Sequence, residues 1–272
     1  MPFFETGERV RIYYGSTGDG PPLVFLHGWG MSGSVWYGQY VLSDCCRLIT
    51  PDLRGHGRSS APESGYAFEC FARDLQELFT RLDLDRAVVI AWSMGVLVAL
   101  SAFPLIRGRL AALVFVSGTP KFTADAGYPY GLPSSEPRGL GLRLKKNHHD
   151  AMHHFIRSMF TEEEISRGCQ ERMVSAESGY EYPDGSAARQ SLKSLADADL
   201  RSALPGIDVP VLLVHGSDDN VCPVAAAYYM AGELPESRLV MLTGAGHAPF
   251  LTKPIEFNES IRQFINGIYS DD

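Results

Sequence analysis

The stretch between residues 86 and 102 constrains the fold of this chain more than any other. Residues 87–91 form a short unbroken apolar run, which is typical of a strand buried on both faces of a parallel sheet. Residues 94–102 are apolar or good helix formers, so the chain is predicted to turn from strand to helix within about three residues. Ser93 lies at that bend, where its hydroxyl is pushed out of the sheet edge.

Small residues flank Ser93 two positions away on either side. The usual pattern for a nucleophilic serine at such a bend is G-x-S-x-G, which lets strand and helix nearly touch. Here Ala91 takes the place of the first glycine and Gly95 is the second, and we expect the bend to survive. A serine that caps an ordinary buried helix is the alternative that this short pattern leaves open.

Strand and helix patterns alternate on both sides of this bend. An apolar stripe at helical spacing from residue 68 to 82 predicts an amphipathic helix packed on a sheet. Further strands are predicted at 22–26, 47–51, 110–117, 209–214 and 238–242. This alternation favours an α/β fold with a mostly parallel, doubly wound sheet, whose functional loops lie at the C-terminal ends of the strands.

Residues 119–195 break the alternation. A Gly/Pro/Tyr-rich opening leads into helices predicted around 139–160, 161–178 and 186–195, with no buried strand among them. An insertion of this size after a strand, followed by a return to strands, indicates a helical lid over the site. We therefore expect a core in two parts, residues 1–118 and 196–272, with the lid inserted between them.

Chemistry at Ser93 requires two partners. A serine hydroxyl is a poor nucleophile unless a base removes its proton, and a histidine base must be held in one tautomer by a carboxylate. His247 follows the last predicted strand, and Asp218 and Asp219 follow the strand before it. A serine, an aspartate and a histidine thus occur in the order expected of this architecture, each at the C-terminal end of a different strand.

The strand at 22–26 runs into the glycine-rich sequence H-G-W-G. A turn of this kind can present backbone N–H groups to an anion without any side chain. The amides of Trp29 and Met94 are therefore our candidate oxyanion hole. His27 lies directly after the strand and before a glycine, which favours a loop-bracing role over that of the base.

Composition and spacing exclude several other classes. The net charge of −8 argues against nucleic-acid binding, and five cysteines without C-x-x-C spacing predict neither a disulfide framework nor structural zinc. No apolar run approaches the roughly 20 residues that span a bilayer and no signal peptide is visible, so we expect a cytoplasmic protein that does not bind membranes. No metal or cofactor is predicted, because no ligand spacing completes a site with the clustered histidines His148, His149, His153 and His154.

Five segments, taken together and in this order, resemble the α/β-hydrolase superfamily. They are H-G-W-G, D-L-R-G-H-G-R-S, A-W-S-M-G, G-S-D-D-N-V-C-P and G-A-G-H-A-P-F, and they extend over almost the whole chain. The resemblance implies the α/β-hydrolase fold and a serine triad. In relatives the catalytic acid lies three residues after the glycine and four before the proline, which selects Asp219 and leaves Asp218 to cap the following turn.

Within the superfamily, three features resemble the BioH family, the pimeloyl-[acyl-carrier protein] methyl ester carboxylesterases of biotin synthesis. They are the sequence L-H-G-W-G-M-S-G-S-V-W, the tryptophan Trp92 beside the serine and the sequence H-A-P-F. This resemblance implies a serine carboxylesterase that works through an acyl-enzyme. Its substrate would be a small-molecule ester or a methyl ester on a carrier-bound acyl chain, with an acyl carrier protein as partner.

The predicted lid carries a local excess of positive charge. Between residues 138 and 157 a single acidic residue, Asp150, stands against five cations: Arg138, Arg143, Lys145, Lys146 and Arg157. Such a patch could steer a phosphopantetheine arm or an acidic carrier protein, and a solvated helix face is the alternative. The candidate substrate-binding residues are Trp29, Trp92, Arg138, Arg143 and Phe155.

Other functions stay open from the sequence alone. Dehalogenase and epoxide hydrolase relatives carry aspartate at the bend, so Ser93 disfavours them. Perhydrolases and carbon–carbon bond hydrolases share the serine triad, and a non-catalytic receptor for a small ligand can retain it on the same fold. We expect short to medium acyl chains, because a lid should bound the pocket.

Overall fold

An eight-stranded sheet forms the centre of the computed structural model, which describes residues 2–176 and 182–270. The strands are β1 (Phe3–Glu5), β2 (Arg11–Thr17), β3 (Pro22–Leu26), β4 (Arg47–Pro51), β5 (Ala87–Trp92), β6 (Leu110–Val116), β7 (Val211–Gly216) and β8 (Ser237–Leu242). Their order is β1-β2-β4-β3-β5-β6-β7-β8. Only the pairs β1–β2 and β2–β4 are antiparallel among the described strands, which confirms the mostly parallel, doubly wound sheet.

The strand that precedes Ser93 lies in the middle of this sheet. β5 pairs with β3 on one side and with β6 on the other, and all six of its residues are buried. An unbroken apolar run suits this position, because both faces of a central parallel strand are covered. The helix after it, α2 (Met94–Ile106), is apolar nearly all round and packs against β5, β6 and α1 (Phe68–Arg81).

The remaining core helices follow the last two strands. They are α8 (Val224–Glu233), α9 (Pro249–Thr252) and α10 (Pro254–Tyr269), and 3₁₀ helices cover Gly33–Asp44, Arg107–Arg109 and Arg201–Gly206. Among the described residues no helix is both long enough and apolar enough to span a bilayer.

Five described helices lie in the insertion between β6 and β7. They are α3 (Ser135–Lys146), α4 (His148–Ser158), α5 (Glu162–Ser166), α6 (Cys169–Ala176) and α7 (Gly185–Asp197). They occupy the part of the chain predicted to form a lid. The division into two core parts and a lid stays a prediction.

Two of the predicted insertion helices are broken by residues that end or begin a helix. The helix predicted over 139–160 divides at Asn147, which leaves helical geometry and whose side-chain oxygen accepts the N–H of Asp150 at 3.3 Å, at the start of α4. The helix predicted over 161–178 divides at Gly168, whose φ of +71° suits the end of a helical segment. Residues 177–178 of that prediction lie outside the described residues.

Candidate active site

Ser93 occupies a strained bend between β5 and α2. Its φ of +54° and ψ of −116° are uncommon for a residue with a Cβ atom. Its N–H donates to Val116 O on β6 at 3.0 Å, which fixes the bend to the neighbouring strand. Within the described chain, the Ser93 side chain makes no capping hydrogen bond to α2, so the alternative of a capping serine is not observed.

The start of α2 lies so close to β3 that residue 95 has no room for a side chain. A Cβ atom on Gly95 would lie 2.8 Å from Leu26 O and 3.1 Å from His27 O. The same approach brings the loop after β3 against the bend, because a Cβ atom on Gly28 would lie 3.2 Å from Ser93 Cβ. The fully buried Ala91 is accommodated in place of the usual glycine.

The structure brings Ser93, Asp219 and His247 into one hydrogen-bonded line. His247 Nε2 lies 2.9 Å from Ser93 Oγ. His247 Nδ1 lies 2.9 Å from Asp219 Oδ2 and 3.0 Å from Asp219 Oδ1. His247 is fully buried, whereas Ser93 keeps 8% of its surface exposed, so solvent reaches the line at the serine end.

The surroundings of Asp219 keep its carboxylate ionised. Burial alone would raise the pKa of Asp219, but its interactions with His247 and His215 outweigh burial and hold that pKa well below its usual range. The N–H groups of Val221 and Cys222 also donate to Asp219 Oδ1, at 2.8 and 2.9 Å. Because an ionised carboxylate only accepts, His247 Nδ1 carries a proton and Nε2 is left to accept from the serine hydroxyl.

His215 is a second histidine on this carboxylate, and sequence reasoning missed it. Its Nε2 donates to Cys222 O at 2.8 Å and lies 3.2 Å from Asp219 Oδ2. In the sequence, His215 is a polar residue that follows the apolar run of β7, but such a run does not show which way the His215 side chain points. Cys222 is buried, and burial raises the pKa of its thiol well above the usual range, which keeps the thiol neutral.

Asp218 and His27 have hydrogen-bond partners other than Ser93, Asp219 and His247. Asp218 is exposed, and its Oδ1 accepts the hydroxyl of Ser217 at 3.0 Å. His27 is buried, its Nδ1 donates to Gly28 O at 2.8 Å and its Nε2 accepts the N–H of Leu53 at 2.9 Å. Both ring nitrogens of His27 are therefore occupied in joining the loop after β3 to the loop after β4.

Two backbone amides next to Ser93 are available to an anion. Within the described residues, neither the N–H of Trp29 nor that of Met94 has a hydrogen-bond acceptor. Met94 is the first residue of α2, so the helix dipole adds positive potential at its amide. The arrangement can therefore receive a negatively charged oxygen near the serine hydroxyl.

The two tryptophans predicted to contact substrate have indole N–H groups that hold loops of the site. Trp29 is 1% exposed, and its Nε1 donates to Ala188 O at 3.1 Å and to Ser191 Oγ at 3.0 Å on α7. Trp92 is fully buried, and its Nε1 donates to His247 O at 2.8 Å. A buried indole N–H requires an acceptor, so these side chains fix the loops of the site, and contact of the two tryptophans with substrate stays a prediction.

Two of the predicted lid residues line one cavity beside the acid loop. Arg143 and Phe155 lie in the wall of a cavity of about 150 Å³, together with Asn220 and Val221 from the loop after β7. The Phe155 ring also packs edge-on against Trp29, with centroids 4.9 Å apart. The cavity thus adjoins both the acid loop and the loop that carries a candidate oxyanion-hole amide.

Arg138 lies elsewhere. It lines a separate groove of about 500 Å³ between α3 and α7, together with Arg189 and Lys193. The structure therefore does not bring Arg138 to the cavity that holds Arg143. In the part of the chain that the structure describes, no group of three His, Cys, Asp or Glu side chains is placed to hold a metal ion.

Comparison with known families decides the family of this chain. The family model described as the alpha/beta hydrolase fold matches residues 21–254, a range that contains Ser93, Asp219 and His247. The chain belongs to the α/β-hydrolase fold family. The fold class predicted from the sequence is therefore confirmed for this α/β hydrolase.

Individual relatives narrow the class of this α/β hydrolase. The pimeloyl-[acyl-carrier protein] methyl ester esterase of Nitrosomonas europaea is 33% identical over 253 residues, covering 91% of this chain and 97% of the relative. An esterase from Exiguobacterium antarcticum has a TM-score of 0.89 at 29% identity, covering 97% of this chain and 98% of that one. A bromoperoxidase from Bacillus anthracis has a TM-score of 0.88 at 25% identity, covering 94% and 96%. The predicted enzyme class, a carboxylic ester hydrolase, and the predicted resemblance to BioH are confirmed.

Proposed function

We propose that this α/β hydrolase cleaves carboxylic esters through an acyl-enzyme on Ser93. Ser93 Oγ attacks the ester carbonyl while His247 Nε2 takes its proton. The negative charge that develops on the carbonyl oxygen is accepted by the N–H groups of Trp29 and Met94. Asp219 holds the imidazole in the tautomer required and stabilises the imidazolium that forms.

Three further proton transfers complete the cycle. The imidazolium of His247 gives its proton to the departing alkoxide, which leaves as the alcohol and lets the carbonyl re-form as an ester on Ser93. A water molecule then attacks the acyl-enzyme while His247 takes its proton, and the imidazolium returns that proton to Ser93 Oγ as the bond from Ser93 to the acyl carbon breaks and the carboxylic acid is released. In this mechanism His247 is neutral at the start of acylation and again at the start of deacylation.

We infer that the substrate is the methyl ester of an acyl chain borne on an acyl carrier protein. The relative from Nitrosomonas europaea, which carries that substrate in its name, supports this inference. The cavity lined by Phe155 and Arg143 adjoins the acid loop, and we assign the acyl chain to it. Arg143 at its wall and the exposed cations of α3 would face the carrier end of the chain.

The observation that carries the esterase proposal is the continuous line from Asp219 through His247 to Ser93, with its serine at a strained bend. A fluorophosphonate probe, which reacts with an activated serine, should label the folded wild-type protein at Ser93. The Ser93→Ala variant should not be labelled, and its kcat on p-nitrophenyl acetate should fall by at least about 10⁴-fold.

A series of methyl and p-nitrophenyl esters of increasing acyl length, free and carrier-linked, then measures the substrate preference. A folded wild-type protein that is not labelled at Ser93 and turns over no ester would contradict the proposal and favour a receptor. Retention of ester hydrolysis in Ser93→Ala would contradict the acyl-enzyme.

A further inference from the structure

Two consecutive backbone amides fasten the loop of His247 to the insertion. The N–H of His247 donates to Met159 O at 2.8 Å. The N–H of Gly246, one residue earlier, donates to Glu164 Oε1 at 3.0 Å. Met159 and Glu164 belong to the same short segment around the start of α5. The main chain that carries His247 therefore rests on the insertion at two adjacent points.

The buried carboxylate of Glu164 also caps the start of α5. Its exposed fraction is 2%, and its Oε2 accepts the N–H of Thr161 at 2.9 Å, while Thr161 Oγ1 accepts the N–H of Glu164 at 3.2 Å. This reciprocal pair is a capping box at the start of α5. The box uses one oxygen of the carboxylate, and the other oxygen accepts the N–H of Gly246. Among the described residues no Lys, Arg or His forms an ion pair with Glu164, so its two backbone donors offset the cost of burying the charge.

Gly246 permits this contact because it has no side chain. A Cβ atom at that position would lie 2.5 Å from Met159 O and 2.8 Å from Glu164 Oε2. Any larger residue would push the loop away from α5. The separation between the insertion and the loop is thus set by main-chain contact and by the length of one carboxylate side chain.

We infer that Glu164 is a positioning residue for His247, an inference that rests on the proposed function. By accepting the Gly246 amide while it closes the first turn of α5, Glu164 fixes where the loop lies relative to β5. That position sets the 2.9 Å contact between His247 Nε2 and Ser93 Oγ. The insertion then supports the base from outside the sheet, in addition to covering the site.

A matched pair of variants separates this role from helix capping. Glu164→Met keeps the length of the side chain but carries no oxygen, so it breaks the contact with Gly246 together with the carboxylate half of the capping box. Thr161→Val removes the hydroxyl half of the same capping box but leaves the carboxylate and its contact with Gly246 in place. Stopped-flow labelling by a fluorophosphonate and turnover of p-nitrophenyl acetate, a substrate too small to need the lid, are measured for both variants and for the wild type.

The two variants should lose similar thermal stability and differ in rate. For Glu164→Met we expect kcat and the labelling rate to fall roughly 10- to 100-fold, as a displaced base requires, with KM changed less than about twofold. For Thr161→Val we expect kcat within about threefold of the wild type. If Glu164→Met does not fold, Gly246→Ala applies the same displacement from the loop side with Glu164 intact, and the same loss of kcat is expected.

Equal kcat values in Glu164→Met and Thr161→Val, or a change in KM alone, would overturn the inference. Full kcat in a folded Gly246→Ala protein would also overturn the inference, because that substitution displaces the loop of His247. A wild-type protein that neither reacts with the fluorophosphonate nor hydrolyses the ester would instead overturn the proposed function.

Discussion

His27 and His56 are buried side by side next to the loop that carries Trp29, with ring centroids 5.3 Å apart. Burial, together with repulsion from His56, lowers the pKa of His27 to about 3. Burial also lowers the pKa of His56 to about 4. Both rings are therefore neutral at pH 7, which His27 needs in order to accept the N–H of Leu53.

This pair predicts a loss of stability on mild acidification. The unfolded chain binds a proton on each histidine below about pH 6.5, whereas the folded protein does not until about pH 4 or lower, so lowering the pH favours unfolding. Between pH 7 and pH 5 each histidine costs about 2 kcal/mol of unfolding free energy. In His56→Gln the loss between these pH values, measured by urea denaturation, should be smaller than in the wild type by that amount. An unchanged loss would show that His56 is charged in the folded protein or is not buried.

At the scale of elements, the approach of α2 to β3 forms the site. The two backbones meet at Gly95, and this contact brings the loop of Trp29 next to Ser93. Sequence patterning shows only that small residues flank the serine. The structure shows which main-chain atoms those small residues let come together.

Gly95→Ala should therefore lower both stability and activity. Its Cβ atom would lie 2.8 Å from Leu26 O, and relief of that contact requires the helix to move away from the strand. We expect a loss of about 1–3 kcal/mol in unfolding free energy and a fall in kcat on p-nitrophenyl acetate. Gly108→Ala is the matched control, because no atom lies within 4 Å of its Cβ position, and its stability should change by less than about 0.5 kcal/mol. Equal behaviour of the two variants would contradict the close approach.

The sheet and the meeting of the three site residues could be predicted from the sequence, because parallel strands bring their C-terminal ends to one edge. The breaks between helices in the insertion were harder to predict, although Asn147 is a residue type that commonly caps the start of a helix. Contacts across the chain left no such signal. The sequence of Thr161 to Glu164 predicts a capping box, but not the bond from Glu164 to Gly246, 82 residues away. The bond from Trp92 Nε1 to His247 O, which joins residues 155 apart, left no signal in the sequence either.

At the scale of the whole molecule, charge is unevenly distributed. The protein carries a net charge of −8, yet the last turn of α3 holds Arg143, Lys145 and Lys146, all of them exposed. Arg157 on α4 pairs with Glu162 at 3.1 Å, whereas Arg143, Lys145 and Lys146 form no ion pair within the described residues. An unpaired basic surface on an acidic protein attracts acidic partners over a distance of about 10 Å at moderate salt.

Charge reversal tests whether this surface docks a carrier protein. In Arg143→Glu/Lys146→Glu the KM for a carrier-linked methyl ester should rise by roughly tenfold or more, while kcat/KM for p-nitrophenyl acetate should stay within about twofold. Arg9→Glu/Arg238→Glu, at two exposed sites outside the insertion, makes the same change in net charge and should change neither constant. Equal effects of the double variant on both substrates would exclude a docking role.

The indole of Trp92 lies against the ring of His247, with centroids 5.5 Å apart, and holds the carbonyl of the same residue. The fluorescence of Trp92 therefore originates next to the imidazole of His247, the group proposed to exchange the proton. Light emission from this protein can report on events at that imidazole without any attached dye.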